Sequence, residues 1–200
     1  MPSKTFFNLP KEKQDRIVNA AKKEMAVSTY EELSINKIIK EAGIPRGSFY
    51  AYFEDKYDLC SYLSLHVKSS ILKKFRFFIT EEKGDVFKAS LDLRDYVKKY
   101  IKGKFDEATS FQLMIFFNNA GFKVRAEEEN CYKTHLEQEF NKAFEAIDPK
   151  LYNKSGEDLR TMFEIIANIV FSNIASLGAD DPDDGFYRRI DFLKNSFGRN

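Results

Sequence analysis

Residues 33–59 read LSINKIIKEAGIPRGSFYAYFEDKYDL, and this stretch decides the fold. Ser34 stands where a helix needs an N-cap, because a serine oxygen accepts one of the amide protons that the first turn leaves orphaned. Ile35, Ile38, Ile39 and Ala42 follow at i, i+3, i+4 and i+7, which predicts one buried helix face. Gly43 sits where a left-handed backbone ends a helix. Pro45 lets the next helix begin almost at once. Phe49 and Phe53 give that helix its core side, and Asp55 is placed to cap a longer helix running to about Phe78. Upstream, Pro10 suits a first helical turn. Ile17, Ala20, Ala21 and Met25 keep a helical period until the break at Ser28-Thr29-Tyr30. A lead-in helix followed by two short helices around a tight glycine turn is a helix-turn-helix pattern.

The remaining chain is also patterned as helices. Expected segments are 86–102, with Leu91, Tyr96, Val97, Tyr100 and Ile101 apolar, and the intensely apolar 111–122. Two more are 127–147, closed by Asp148-Pro149, and 156–177. A last helix carries Phe186, Ile190, Leu193 and Phe197 at i, i+4, i+7 and i+11. No repeat, low-complexity tract or strand is evident. The expected fold is all-α: a three-helix helix-turn-helix domain over residues 1–54 and a larger helical domain over 55–200.

Composition narrows the class. Of 200 residues, 43% are hydrophobic and 32% charged, which excludes a disordered chain. Twenty phenylalanines and no tryptophan predict a core built from phenyl rings. The 32 basic and 31 acidic residues nearly balance, so a polybasic tail is not the functional device. Their distribution is uneven: residues 1–78 carry an excess of five positive charges and the rest an excess of four negative ones. A basic head on an acidic body suits a polyanion partner at the head. Cys60 and Cys131 lie in different segments and suggest no disulfide framework. MPSKTFFNLPKEKQDR carries no long apolar stretch, and apolar runs such as Leu113–Phe117 are too short to cross a bilayer. The expected location is the cytoplasm, with no membrane partner.

The helix beginning near Pro45 has chemistry suited to a major groove about 12 Å wide. Arg46, Ser48, Tyr50 and Tyr52 are expected on its outer side, and Pro45 and Gly47 keep its first turn slim. Asn36 and Lys37, on the preceding helix, are expected to face outward. Over roughly residues 8–60 the chain closely resembles the TetR family of transcriptional regulators. The lead-in helix, the Ala-Gly-Ile turn, the Gly-Ser-Phe-Tyr helix and the aromatic-Phe-x-x-Lys exit carry the resemblance. It implies that Tyr50 and Tyr52 bind phosphates, and that Arg46 or Ser48 approaches base edges. Ser34 and Lys56 would bind further phosphates, and Asn36 and Lys37 would touch base or backbone. Many relatives carry an aromatic residue where this chain has Ala51, and a histidine where it has Tyr52.

Beyond residue 80 the resemblance is architectural: a variable helical body that binds small molecules and dimerises. A twofold dimer would place two recognition helices about 34–36 Å apart, or a multiple of that, and so read a palindrome. Phe163, Ile166, Val170, Ile174, Phe186, Ile190, Leu193 and Phe197, on the last two helices, are the expected dimer residues. The aromatic-rich middle would enclose an apolar pocket for a small lipophilic effector, with Tyr62, His66, Met114, Phe117, Asn118, Tyr132, His135 and Asn168 as candidate lining. The family's usual outcome is repression, with the effector releasing the operator.

Cys131, His135 and Glu139 share a helix face, but i to i+8 spans about 12 Å, too far for one metal ion. No G-x-S-x-G, P-loop, Rossmann glycine pattern or H-E-x-x-H occurs, and neither histidine has a nucleophile nearby in sequence. No enzymatic activity and no cofactor are expected. The alternative is a TetR-like adaptor or co-regulator acting through protein partners in place of DNA.

Overall fold

A computed structural model describes residues 2–101, 126–177 and 183–198; at 100–101, 126–133, 175–176 and 183–184 it describes the backbone alone. The described residues form helices and no strand. The sequence-predicted helix over 111–122 lies outside them. The chain divides into two compact units. One contains the described residues of Met1–Lys68 and Asp106–Lys133, the other those of Ser69–Phe105 and Thr134–Asn200. The expected domain boundary at 54/55 falls just before a helix that itself runs through this division.

The first unit begins with α1 (Lys4–Phe7), capped by the Ser3 hydroxyl, which accepts the Phe6 amide proton. Next come α2 (Lys11–Met25), α3 (Ile35–Ala42), α4 (Arg46–Tyr52) and the start of α5 (Lys56–Glu81). Ile17, Ala20, Ala21 and Met25 are buried along α2, as the period predicted. In α3, Ile38 and Ala42 are buried, whereas Ile35 and Ile39 are only half-buried. Ser34 caps this helix through the Lys37 amide at 3.4 Å, and Gly43 ends it at φ +62°. Phe49 and Phe53 are core residues, and Phe6 joins them with its ring centroid 4.9 Å from that of Phe53. Ser3 straps the N-terminal segment onto the end of α4. Its amide donates to Tyr52 O at 2.8 Å and its hydroxyl to Ala51 O at 2.6 Å. At the head of α5, Asp55 accepts the Asp58 amide at 2.8 Å and Asp58 accepts the Glu54 amide at 3.1 Å, a reciprocal cap.

The second unit contains the end of α5, α6 (Val86–Ile101), the end of α7 (Ala126–Glu145), a short 3-10 turn (Pro149–Leu151), α8 (Gly156–Ser176) and α9 (Asp183–Phe197). Asp85 caps α6 by accepting the Phe87 and Lys88 amides at 3.0 and 3.1 Å. The buried Tyr152 hydroxyl donates to Gly84 O at 3.0 Å and accepts from the Val86 amide at 2.8 Å, fixing the α5–α6 turn. Burial drives the Tyr152 phenol's pKa upward, so it stays a neutral donor. Phe163 of α8 centres the core, with Phe75, Phe140 and Phe144 at centroid distances of 5.8, 4.7 and 5.9 Å.

The buried face of α6 mixes apolar residues with a charge. Leu91 and Tyr96 are only half-buried, while Phe87, Ala89, Leu93 and Val97 are buried, together with the charged Arg94. The Arg94 guanidinium donates to Asn173 Oδ1 at 2.8 Å and to the Tyr187 hydroxyl at 3.2 Å. It also lies 4.9 Å from both the Phe186 and Tyr187 ring centroids. The residues expected at a dimer interface pack within this unit. Phe163, Ile166, Val170, Ile174, Phe186, Ile190 and Leu193 are already buried within the unit, and Phe197 is half-buried. The large apolar side chains that α8 and α9 leave exposed, among the described residues, are Ile165 and Phe192, at 40% and 71% exposure.

Candidate nucleic-acid interface

The turn between α3 and α4 is short because Gly43 adopts the left-handed conformation and Pro45, at φ −63°, opens the next helix. This brings polar side chains from both helices together at the surface. Arg46 is the centre: Nη1 donates to Asn36 Oδ1, and Nη2 donates to the Tyr50 hydroxyl at 3.3 Å. The guanidinium carbon lies 5.6 Å from the centroid of the Tyr50 ring. All three residues are exposed, Tyr50 at 47%. Asn36 and Tyr50 therefore hold a planar cation with its donors displayed outward, the geometry that suits paired contacts to a phosphate or a guanine edge.

Pro45 and Gly47 are exposed beside this cluster, and Ser48 is half-buried. A Cβ added to Gly47 would meet nothing within 4 Å, so the fold itself does not require glycine there. Ser34 sits at the N-terminus of α3 with its hydroxyl engaged in the cap. Lys37 lies next to Asn36 and pairs with Glu24 at 3.2 Å.

Two expected outward positions are different. Tyr52 is not on the outer side of α4: it is 5% exposed, with its ring tilted against Phe6 at 6.3 Å. One turn suffices to explain this, because Phe49 and Tyr52, three residues apart, share the helix face that packs inward. Lys56 is turned inward as well. Its ammonium donates to the Tyr30 and Glu31 carbonyls at 2.9 and 3.1 Å and lies 4.6 Å from the Tyr30 ring centroid. It ties the loop before α3 to the start of α5, and a phosphate would have to compete with two carbonyls.

Met114, Phe117 and Asn118 lie outside the described residues, as does the side chain of Tyr132. Tyr62 is buried in the first unit against Phe6, Phe53 and His66, the last with centroids 4.6 Å apart. His66 itself is exposed. His135, in the second unit, is exposed and shares a hydrogen bond with Ser69 at 3.2 Å. Asn168 faces outward; the buried asparagine of α8 is Asn173. Burial pushes the Cys60 thiol up to about 12, so it remains protonated and unreactive at neutral pH. Glu139 pairs with Lys142 at 2.8 Å. Among the described residues no helix is long and apolar enough to cross a membrane.

Two residues with evident roles, Glu24 and Arg94, are absent from the sequence expectations. The signal was present in each case. Glu24 follows Ile17 and Ala20 on the buried stripe of α2, and Arg94 precedes Val97 on that of α6. A charge inside an apolar stripe marks a buried, partnered group.

Residues 17–63, which span this interface from α2 into α5, match the model of a family described as bacterial regulatory proteins, tetR family. Over these residues the chain carries the N-terminal domain of the TetR family. An HTH-type transcriptional regulator of Staphylococcus aureus strain bovine RF122 is 35% identical to this chain over 83 residues, 40% of this chain and 45% of that one. A regulator of the same description from strain USA300 is 43% identical over 53 residues, 26% and 29% of the two chains. The chain thus spans less than half the length of these curated relatives. Its fold is similar to that of the TetR family repressor AlkX from Dietzia sp. strain DQ12-45-1b, a protein implicated in biodegradation of n-alkanes. The TM-score is 0.58 at 15% identity, covering 90% and 92% of the two chains.

Proposed function

We propose that this chain is a sequence-specific, DNA-binding transcriptional regulator of the TetR family acting as a cytoplasmic homodimer. It represses from a palindromic operator and is released by a small lipophilic effector bound in the helical body. The observation that carries the reading is the exposed Asn36–Arg46–Tyr50 cluster beside Gly47, where the fold leaves room for another molecule's backbone to approach. Arg46 is the base-reading or phosphate-reading cation, Tyr50 and Ser48 are polar contacts, and Asn36 orients Arg46.

The experiment is a gel-shift titration of the full chain on its own upstream DNA. Arg46→Ala is expected to weaken specific binding by about 1–3 kcal/mol and to relax sequence preference. An even loss on all sequences would make Arg46 a phosphate contact. Gly47→Ala should leave the melting temperature unchanged or slightly higher, since Ala is the better helix former, while lowering DNA affinity. Unchanged affinity in both variants would argue against this surface as the DNA interface.

The inward turn of Tyr52 and Lys56 favours a second reading, the protein-binding co-regulator, because it removes two expected phosphate donors from the surface. Salt separates the two readings. A DNA-binding regulator loses log affinity at about 0.9 per neutralised phosphate for each decade of salt.

The homodimer in this proposal pairs α8 and α9 through Ile165 and Phe192. Phe192→Glu combined with Ile165→Glu should convert dimer to monomer in analytical ultracentrifugation without loss of helical circular dichroism. A dimer that survives both changes would place the interface elsewhere.

A further inference from the structure

We propose that Glu24 is a positioning residue that holds the Lys37 ammonium away from DNA phosphates, so that Lys37 adds little to backbone binding although it sits beside the reading surface. The inference rests on the DNA-binding function proposed above. Three donors converge on Glu24 Oε1: the Ser28 hydroxyl at 3.2 Å, the Ser34 amide at 3.3 Å and the Lys37 ammonium at 3.2 Å. The pair borders a groove of about 620 Å³ between α2 and α3, lined by Ala20, Lys23, Glu24, Lys37, Lys40 and Glu41.

The asymmetry of burial decides the behaviour of the pair. The Lys37 side chain is 67% exposed and that of Glu24 only 8%. If Lys37 swung out to a phosphate, an ionised carboxylate would stay buried with neutral donors alone, which is costly. The neighbouring Lys23–Glu41 pair differs: its side chains are 61% and 52% exposed, and water replaces either partner at little cost. Glu24 therefore acts as an internal substitute for a phosphate. By withholding one cation it lowers sequence-independent affinity and leaves discrimination to Asn36, Arg46 and Tyr50.

The test is a double-mutant cycle on the full-length protein, titrated against a duplex of mixed sequence over a range of salt. Glu24→Gln keeps the size of the side chain and an acceptor for Ser28 and Ser34 but removes the charge that holds Lys37. In the native background Lys37→Gln should barely change the slope of log affinity against log salt. In Glu24→Gln the slope should steepen by about 0.9, and adding Lys37→Gln should remove that increment. The increment corresponds to a roughly 3.5-fold greater loss of affinity between about 50 and 200 mM salt. An equal effect of Lys37→Gln in both backgrounds, or no change on Glu24→Gln, overturns the proposal. Should Glu24→Gln fail to fold, Lys37→Gln alone decides: an unchanged slope supports the proposal and a drop of about 0.9 overturns it. If the native protein binds no duplex at any salt, the DNA-binding reading fails, and this inference with it.

Discussion

Arg94→Ala should destabilise the unit built from α6, α8 and α9 by about 3–5 kcal/mol, seen as a lower denaturant midpoint. Arg94 is 0% exposed, so truncation leaves a cavity that the surrounding helices cannot fill without moving. It also takes a donor from Asn173 Oδ1 and another from the Tyr187 hydroxyl, and it empties the space against the Phe186 and Tyr187 rings. Arg94→Met separates these effects. It restores most of the packing but not the hydrogen bonds, and should lose about 1–3 kcal/mol. If alanine and methionine were equally mild, the guanidinium would not be what joins the three helices.

The second large effect is expected at Phe49. Phe49→Ala should cost about 3–5 kcal/mol and remove DNA binding together with the fold of the first unit. The ring is 0% exposed and lies 5.5 Å from that of Phe53, which in turn packs on Phe6. The seven-residue α4 is too short to hold helical form alone, so its position depends on this anchor. Arg46 and Tyr50 would then lose their fixed relation to Asn36. Circular dichroism during denaturation and gel shift on the same sample should report the two losses together. A stable variant with normal DNA binding would show that α4 is held by other contacts.

These two sites differ in how far the sequence announced them. Phe49 and Phe53 are spaced one turn apart after a capped, glycine-ended helix, and local rules place both in the core. Arg94 lies in α6, where the apolar residues admit more than one face. Of the apolar residues noted there, Val97 is buried while Leu91 and Tyr96 are half-buried. The residue that settles the rotation, Asn173, lies 79 positions away. The same limit applies to α8. Its Leu159, Met162, Phe163, Ile165, Ile166, Ile169 and Val170 nearly encircle the helix, so periodicity does not separate the face turned to its own core from the one left outside. Phe163, Ile166, Val170 and Ile174 of α8 lie on the inner face.

What the sequence determined by itself is the part governed by neighbours a few residues apart. Ser34 as a cap, Gly43 as a stop and Pro45 as a restart draw the helix-turn-helix with boundaries that the structure keeps, because capping and backbone conformation are local. What only the tertiary structure decided is the partner of each side chain that reaches across helices. Lys56 bonds to the loop carbonyls of Tyr30 and Glu31, Tyr52 turns against Phe6, and Glu24 takes Lys37. Such contacts depend on how helices pack, and packing joins residues whose separation along the chain carries no period.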